Sequence, residues 1–159
     1  MIADVRPRAV LDTSTLVPSG LRRSLQQSAQ RGAFVALWSP WIIGELYRVL
    51  TWQWLERTQD FSTANQVACS RSAKAMMTLL IATFEIVAPV PPYPPAWPTL
   101  ADIDDQPIWA AAVVSTARYV VSENVRHFPP RGADGRRLHK GIEYLRTSDF
   151  LERLALGSA

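Results

Sequence analysis

Asp12 closes an apolar run, Ala9-Val10-Leu11, and is followed by a row of hydroxyls, Thr13, Ser14 and Thr15. A buried parallel strand reads this way when it stops at its carboxyl end and leaves an acid at the edge where open α/β sheets bind ligands. A carboxylate there needs a partner, and a divalent cation shared with other carboxylates is the simplest one. The chain offers more groups for the same edge: Glu45, the cluster Asp102, Asp104 and Asp105, and the polar Asn124. Hard oxygen donors with no Cys or paired His among them select Mg2+ or Mn2+ over zinc. Such an ion orients and deprotonates a water and stabilises the charge of a phosphodiester under attack. The hydroxyls of Thr13, Ser14 and Ser122 suit the metal-bound waters or the phosphate. Arg126 opens a basic stretch, running to Lys140, that suits a polyanion.

Strands must carry these groups to one edge. Residues 8–12 read as the first strand, and small or apolar residues at 21, 25 and 29 predict a helix over 21–31 that Gly32 ends. The apolar run 33–38 is a second strand. Ser39 as N-cap and Pro40 at the first helical position predict a helix from Trp41 to about Glu56. Glu45 falls in its first two turns, where a carboxylate also suits the helix dipole alone, but its apolar neighbours favour a half-buried acid with company. Trp52 and Trp54 read as core and helix-packing residues. A further helix over 62–83 and a third strand over 84–87 follow, and prolines at 89, 91, 92, 94, 95 and 98 impose an extended connector. Behind Pro107, capped by Asp105 or Gln106, comes a small-residue helix, Ile108 to Thr116. Capping explains one acid there, not three within four residues. Tyr119 to Ser122 is a fourth strand that delivers Glu123 and Asn124, residues 142–145 are a fifth, and Ser148 caps a last short helix. The alternation gives an α/β class: one three-layer α/β/α domain over 1–159, with a central parallel sheet of four to five strands and no internal repeat.

A length of 159 residues suits one domain, and a net charge of +3 with a pI near 9.4 admits nucleic acid as a partner. The basic groups gather at Arg22 and Arg23, then at Arg126, Arg131, Arg136, Arg137 and Lys140. A single cysteine, Cys69, excludes an intramolecular disulfide framework and a Cys-based zinc cluster. No stretch is long and apolar enough to span a bilayer, and Met1 to Pro7 carries no run of signal-peptide type, so the expected location is cytoplasmic. His127 and His139, in a loop rich in Arg and Gly, read as phosphate contacts or surface residues rather than metal ligands. Trp109, inside an apolar helix, reads as core.

At these residues the sequence resembles the PIN-domain family, and within it the VapC-like nuclease toxins of bacterial toxin–antitoxin modules. The matching pieces are Val10-Leu11-Asp12-Thr13-Ser14, then Ser39-Pro40 through Glu45-Leu46-Tyr47-Arg48-Val49-Leu50. Asp102-Ile103-Asp104-Asp105-Gln106-Pro107 leads into the Ala-rich helix, Tyr119-Val120-Val121-Ser122-Glu123-Asn124 supplies the strand-four motif, and Tyr144 to Leu151 looks like the closing strand and helix. Each motif is weak alone; four in order are fairly specific. The resemblance implies a PIN-like fold and a Mg2+- or Mn2+-dependent endoribonuclease. It also implies a homodimer, with a cognate antitoxin whose tail enters the acidic groove. Carried over by position, Asp12, Glu45 and Asp105 are the metal-binding carboxylates, with Asp102 second to Asp105, and Asn124 takes the place of the fourth acid. Ser122-Glu123-Asn124 departs from the Thr-Gly-Asp or Thr-Arg-Asn of many members, and a frequent later aspartate is His127 here.

Two other classes compete. A PIN-fold module without catalysis, serving only to bind, fits the neutral Asn124, whereas the intact acids argue against it. A phosphotransferase of the haloacid-dehalogenase type needs a second aspartate two residues after the first, and position 14 is serine.

Overall fold

The computed structural model describes residues 6–100 and 102–157, so the first five residues of the Met1 to Pro7 segment lie outside the described residues. The chain runs β1 (Arg8–Leu11), α1 (Thr13–Leu16), α2 (Ser19–Gln30), β2 (Val35–Trp38), α3 (Pro40–Thr58), α4 (Thr63–Ile81) and β3 (Glu85–Ile86). After the Pro-rich connector come α5 (Gln106–Val114), β4 (Tyr119–Val121), β5 (Leu138–His139), β6 (Ile142–Leu145) and α6 (Thr147–Gly157). Single 3-10 turns, Ile103–Asp105 and Val125–His127, precede α5 and follow β4.

The sheet order is β3-β2-β1-β4-β6-β5. Five strands are parallel, within the expected four to five, and β5 adds a sixth that pairs antiparallel with β6. From β1 the chain first builds outward through β2 and β3, then returns to lay β4 and β6 on the other side of β1. That reversal makes the β1/β4 boundary the switch point, where a crevice opens beyond the carboxyl ends of the strands. Asp12 and Ser122 are the first residues past those ends, and Asp12 N still donates to Val121 O at 3.0 Å.

The elements form for local reasons. In β1 and β2 the residues Ala9, Val10, Leu11 and all four of Val35–Trp38 are buried, as expected of central parallel strands. α3 starts where Ser39 Oγ accepts from Ile42 N at 3.3 Å with Pro40 in the first turn, and ends at Gln59 in the left-handed region. α4 is capped by Ser62, and Tyr47 of α3 hydrogen-bonds Ser70 of α4. α5 lies on β1 and β4, and its buried Ala110, Ala111 and Ala112 allow that close approach. α6 inserts Phe150, fully buried, edge-on against Phe34 at 4.9 Å between centroids.

Several expectations change. α1 was not foreseen; its last carbonyls, Leu16 O and Val17 O, accept from Arg22 Nη1 at 2.7 and 3.0 Å. Arg22 is therefore buried and structural, and only its neighbour Arg23 is exposed. Trp52 is 53% exposed beside Phe61, whereas Trp54 packs on the core. Ser148 is not the cap of α6, which begins one residue earlier, at Thr147. Trp109 is core as expected, and Trp97 of the connector packs edge-on against it at 5.3 Å. Gln106 does not cap α5: its amide accepts from Leu100 N at 3.0 Å and donates to Pro98 O at 3.3 Å, which fastens the connector. Among the described residues no helix is long and apolar enough to cross a membrane.

Candidate metal centre

Asp12 is nearly buried, and its orientation is set by two hydroxyls. Ser14 Oγ donates to Asp12 Oδ2 at 2.7 Å and Ser122 Oγ donates to the same oxygen at 2.8 Å. Each serine oxygen also accepts a backbone N–H, Ser14 from Glu123 at 2.9 Å and Ser122 from Asn124 at 3.0 Å. A hydroxyl has one hydrogen to give, so these bonds use both serines and knit the loop after β1 to the loop after β4. Among the described residues no hydrogen bond ends on Asp12 Oδ1.

Glu45 reaches the same cleft from α3, half-buried as its apolar neighbours required, and Thr13 Oγ1 donates to its Oε2 at 2.6 Å. Thr13, Ser14 and Ser122, expected to serve metal-bound waters or a phosphate, each donate to one of these carboxylates.

The cluster at 102–105 separates by role. Asp102 Oδ1 accepts from Asp104 N at 3.0 Å and caps the 3-10 turn, which accounts for one acid. Asp104 is exposed. Asp105 stands at the N-cap of α5 but makes no side-chain capping bond, so helix capping does not explain its carboxylate. It is half-buried, and burial pushes its acid up. The His127 imidazole pulls it down again, while Asp102 and Asp12 push it up further. Tyr144 feels the same field: burial, then the charges of Asp105 and Asp12, raise its phenol. Mutual repulsion of this kind is what a divalent cation relieves.

Asp12 and Asp105 line one small hollow of about 10 Å³, with Ser122, Asn124 and His127 around it. That is room for a single water or bare cation. It opens beside a wider cleft of about 450 Å³ that adds Glu45, Asp102 and Asp104 to the wall. Asp102, Asp105 and His127 bring one ligand atom each within 4.8 Å of one another. The donor set therefore fits a divalent ion. Arg126 lies exposed on the turn after β4 and lines a larger groove of about 690 Å³ that starts at Asp102, Asp105 and His127 and has apolar walls at Phe128 and Tyr144.

Glu123, the extra acid after β4, faces elsewhere. Its Oε2 accepts from Arg146 at 3.2 and 3.3 Å, and its Oε1 from Thr147 N at 2.9 Å, at the start of α6. Burial acts to raise its acid, but the bonds from Thr147 and Arg146 outweigh that and hold it below the usual range. It anchors α6 and lines neither the hollow nor the cleft.

Sequence reasoning missed two things. His127, read as a surface or phosphate-contacting residue, puts Nδ1 3.0 Å from Asp105 Oδ2 and 3.1 Å from Asp102 Oδ2. Glu143 on β6 is 1% exposed and is held by Arg136 at 2.8 Å and Arg153 at 3.0 Å, which ties part of the basic stretch to the fold. His139 is not a free surface group either; its ring packs against Trp109 at 5.7 Å.

A family model described as PIN domain (PIN_3) matches residues 8–126, from β1 to the turn after β4, and so takes in Asp12, Glu45, Asp102, Asp105 and Asn124. No curated protein matches the sequence.

Proposed function

The chain belongs to the PIN-domain family, generally metal-dependent nucleases, and from that premise we propose that it is a Mg2+- or Mn2+-dependent endoribonuclease, the toxin of a type II toxin–antitoxin pair. The observation that carries this reading is the pairing of Asp12 and Asp105 across one ion-sized hollow at the β1/β4 switch point, with Glu45 and Asn124 in the adjoining cleft. In this reading Asp12, Glu45 and Asp105 hold the metal, with Asp102 and Asn124 beside them.

When bound, the ion supplies a deprotonated water and neutralises charge on the phosphoryl oxygens. The protein does the positioning. Ser14 and Ser122 hold Asp12 by one oxygen and leave the other for a ligand. Thr13 holds Glu45 in the same way, so its second oxygen can bind or accept a proton. Arg126, at the head of the larger groove, takes a phosphate outside the hollow. The chain forms a homodimer in this reading, and the tail of a cognate antitoxin occupies the acidic cleft.

Cleavage of a panel of structured RNAs with Mg2+ or Mn2+, with EDTA and with Asp12→Ala tests it. Metal-dependent cutting that the substitution abolishes supports the nuclease. One observation favours a second reading, a catalytically silent binding module: Asn124 is neutral and Glu123 is turned to α6, so the loop after β4 brings no acid of its own to the cleft. Absence of metal binding by calorimetry favours that module.

A further inference from the structure

We infer that His127 is a nitrogen ligand of the metal centre, and that this makes the centre select Mn2+ and the later divalent transition ions over Mg2+. The inference rests on the metal-dependent reading above and narrows its cofactor. His127 Nδ1 lies 3.0 Å from Asp105 Oδ2, 3.1 Å from Asp102 Oδ2 and 3.2 Å from Asn124 Nδ2. One ring nitrogen thus faces two carboxylate oxygens and one side-chain amide at contact distance. A cation bound to the Nδ1 lone pair and to both carboxylates satisfies the nitrogen and the oxygens together, with the Asn124 amide oxygen turned toward it.

The spacing agrees. Two donors at about 2.1 Å from an ion, at right angles, lie about 3.0 Å apart, close to the separations of 3.0 and 3.1 Å from Nδ1 to the two carboxylates. The short turn Val125–His127 places the ring, since His127 N donates to Asn124 O at 3.1 Å and closes the loop back on the cleft. Magnesium prefers oxygen and water, and an imidazole in the set moves preference along the transition series.

Mn2+ bound to the purified protein reports its ligands directly, because a coordinated imidazole gives a nitrogen coupling in pulsed electron paramagnetic resonance. The wild type is expected to show that coupling. His127→Ala should lose it and weaken Mn2+ binding about tenfold or more, with a smaller change for Mg2+. His127→Asp, which makes the set all-oxygen, should narrow the gap between the two ions; circular dichroism checks that both variants fold. Mn2+ bound without nitrogen coupling, at an affinity His127→Ala leaves alone, would overturn the inference while the nuclease reading stands. No Mn2+ binding by the wild type would overturn both.

Discussion

At the scale of single residues, the site depends on side chains that touch carboxylates rather than substrate. Ser122 illustrates this: its hydroxyl donates to Asp12 Oδ2 and accepts from Asn124 N, so it orients an acid and holds the loop that carries Asn124. Outer partners of this kind matter to metal affinity or activity by roughly 10- to 100-fold. Ser122→Ala is therefore expected to weaken metal binding or slow turnover within that range, measured by calorimetry and RNA cleavage, with the fold intact. Glu123→Gln should do the opposite. It weakens the contacts with Arg146 and Thr147 and lowers the midpoint of thermal unfolding, but leaves metal affinity unchanged. The acids were legible in the sequence because an apolar strand that ends in a carboxylate has few structural uses. His127 was legible only as a departure, standing where the resemblance expects an aspartate; that its ring faces Asp105 depends on the closure of a 3-10 turn, which spacing along the chain does not encode.

At the scale of elements, the parallel strands and long helices could be read from apolar runs and caps. Ser39-Pro40 announces α3, and the helix runs Pro40–Thr58 against the expected 41 to about 56. What could not be read is short or held by distant partners. α1 is four residues long, too brief for a periodic signal, and its end depends on Arg22 reaching back from α2. β5 is two residues, defined only by its pairing with β6. Arg22→Ala leaves two carbonyls at the end of α1 without their donor, at a cost of about 1–3 kcal/mol for the buried Leu16 O and less for the part-buried Val17 O. Because α1 follows Asp12 directly, the same variant should also reduce metal affinity, and chemical denaturation alongside calorimetry separates the two effects.

At the scale of the whole molecule, the basic excess is divided between the fold and the surface. Glu143 is enclosed in the sheet: burial acts to raise its acid, but Arg136 and Arg153 together depress it below its ordinary value of 4.5. A depressed acid stabilises the folded state above its unfolded value, and that contribution is lost as pH falls through the lower folded value. Unfolding free energy should therefore drop below about pH 4.5, and Glu143→Gln should flatten that slope while lowering stability at neutral pH. The sequence showed the basic excess but not its division. Arg22, Arg136 and Arg153 serve the fold, whereas Arg126 stays exposed at the mouth of the larger groove.

The most direct measurement is RNA cleavage by the purified chain over a Mn2+ and Mg2+ titration, with Asp12→Asn in parallel and metal binding followed on the same samples. Asp12→Asn keeps the shape and removes the charge. Cleavage that requires metal, stops with EDTA, and falls at least about a hundredfold in the variant, ~2.7 kcal/mol of transition-state stabilisation, is the expected result. Cleavage that survives EDTA, or that Asp12→Asn leaves unchanged, would contradict a nuclease built on this centre.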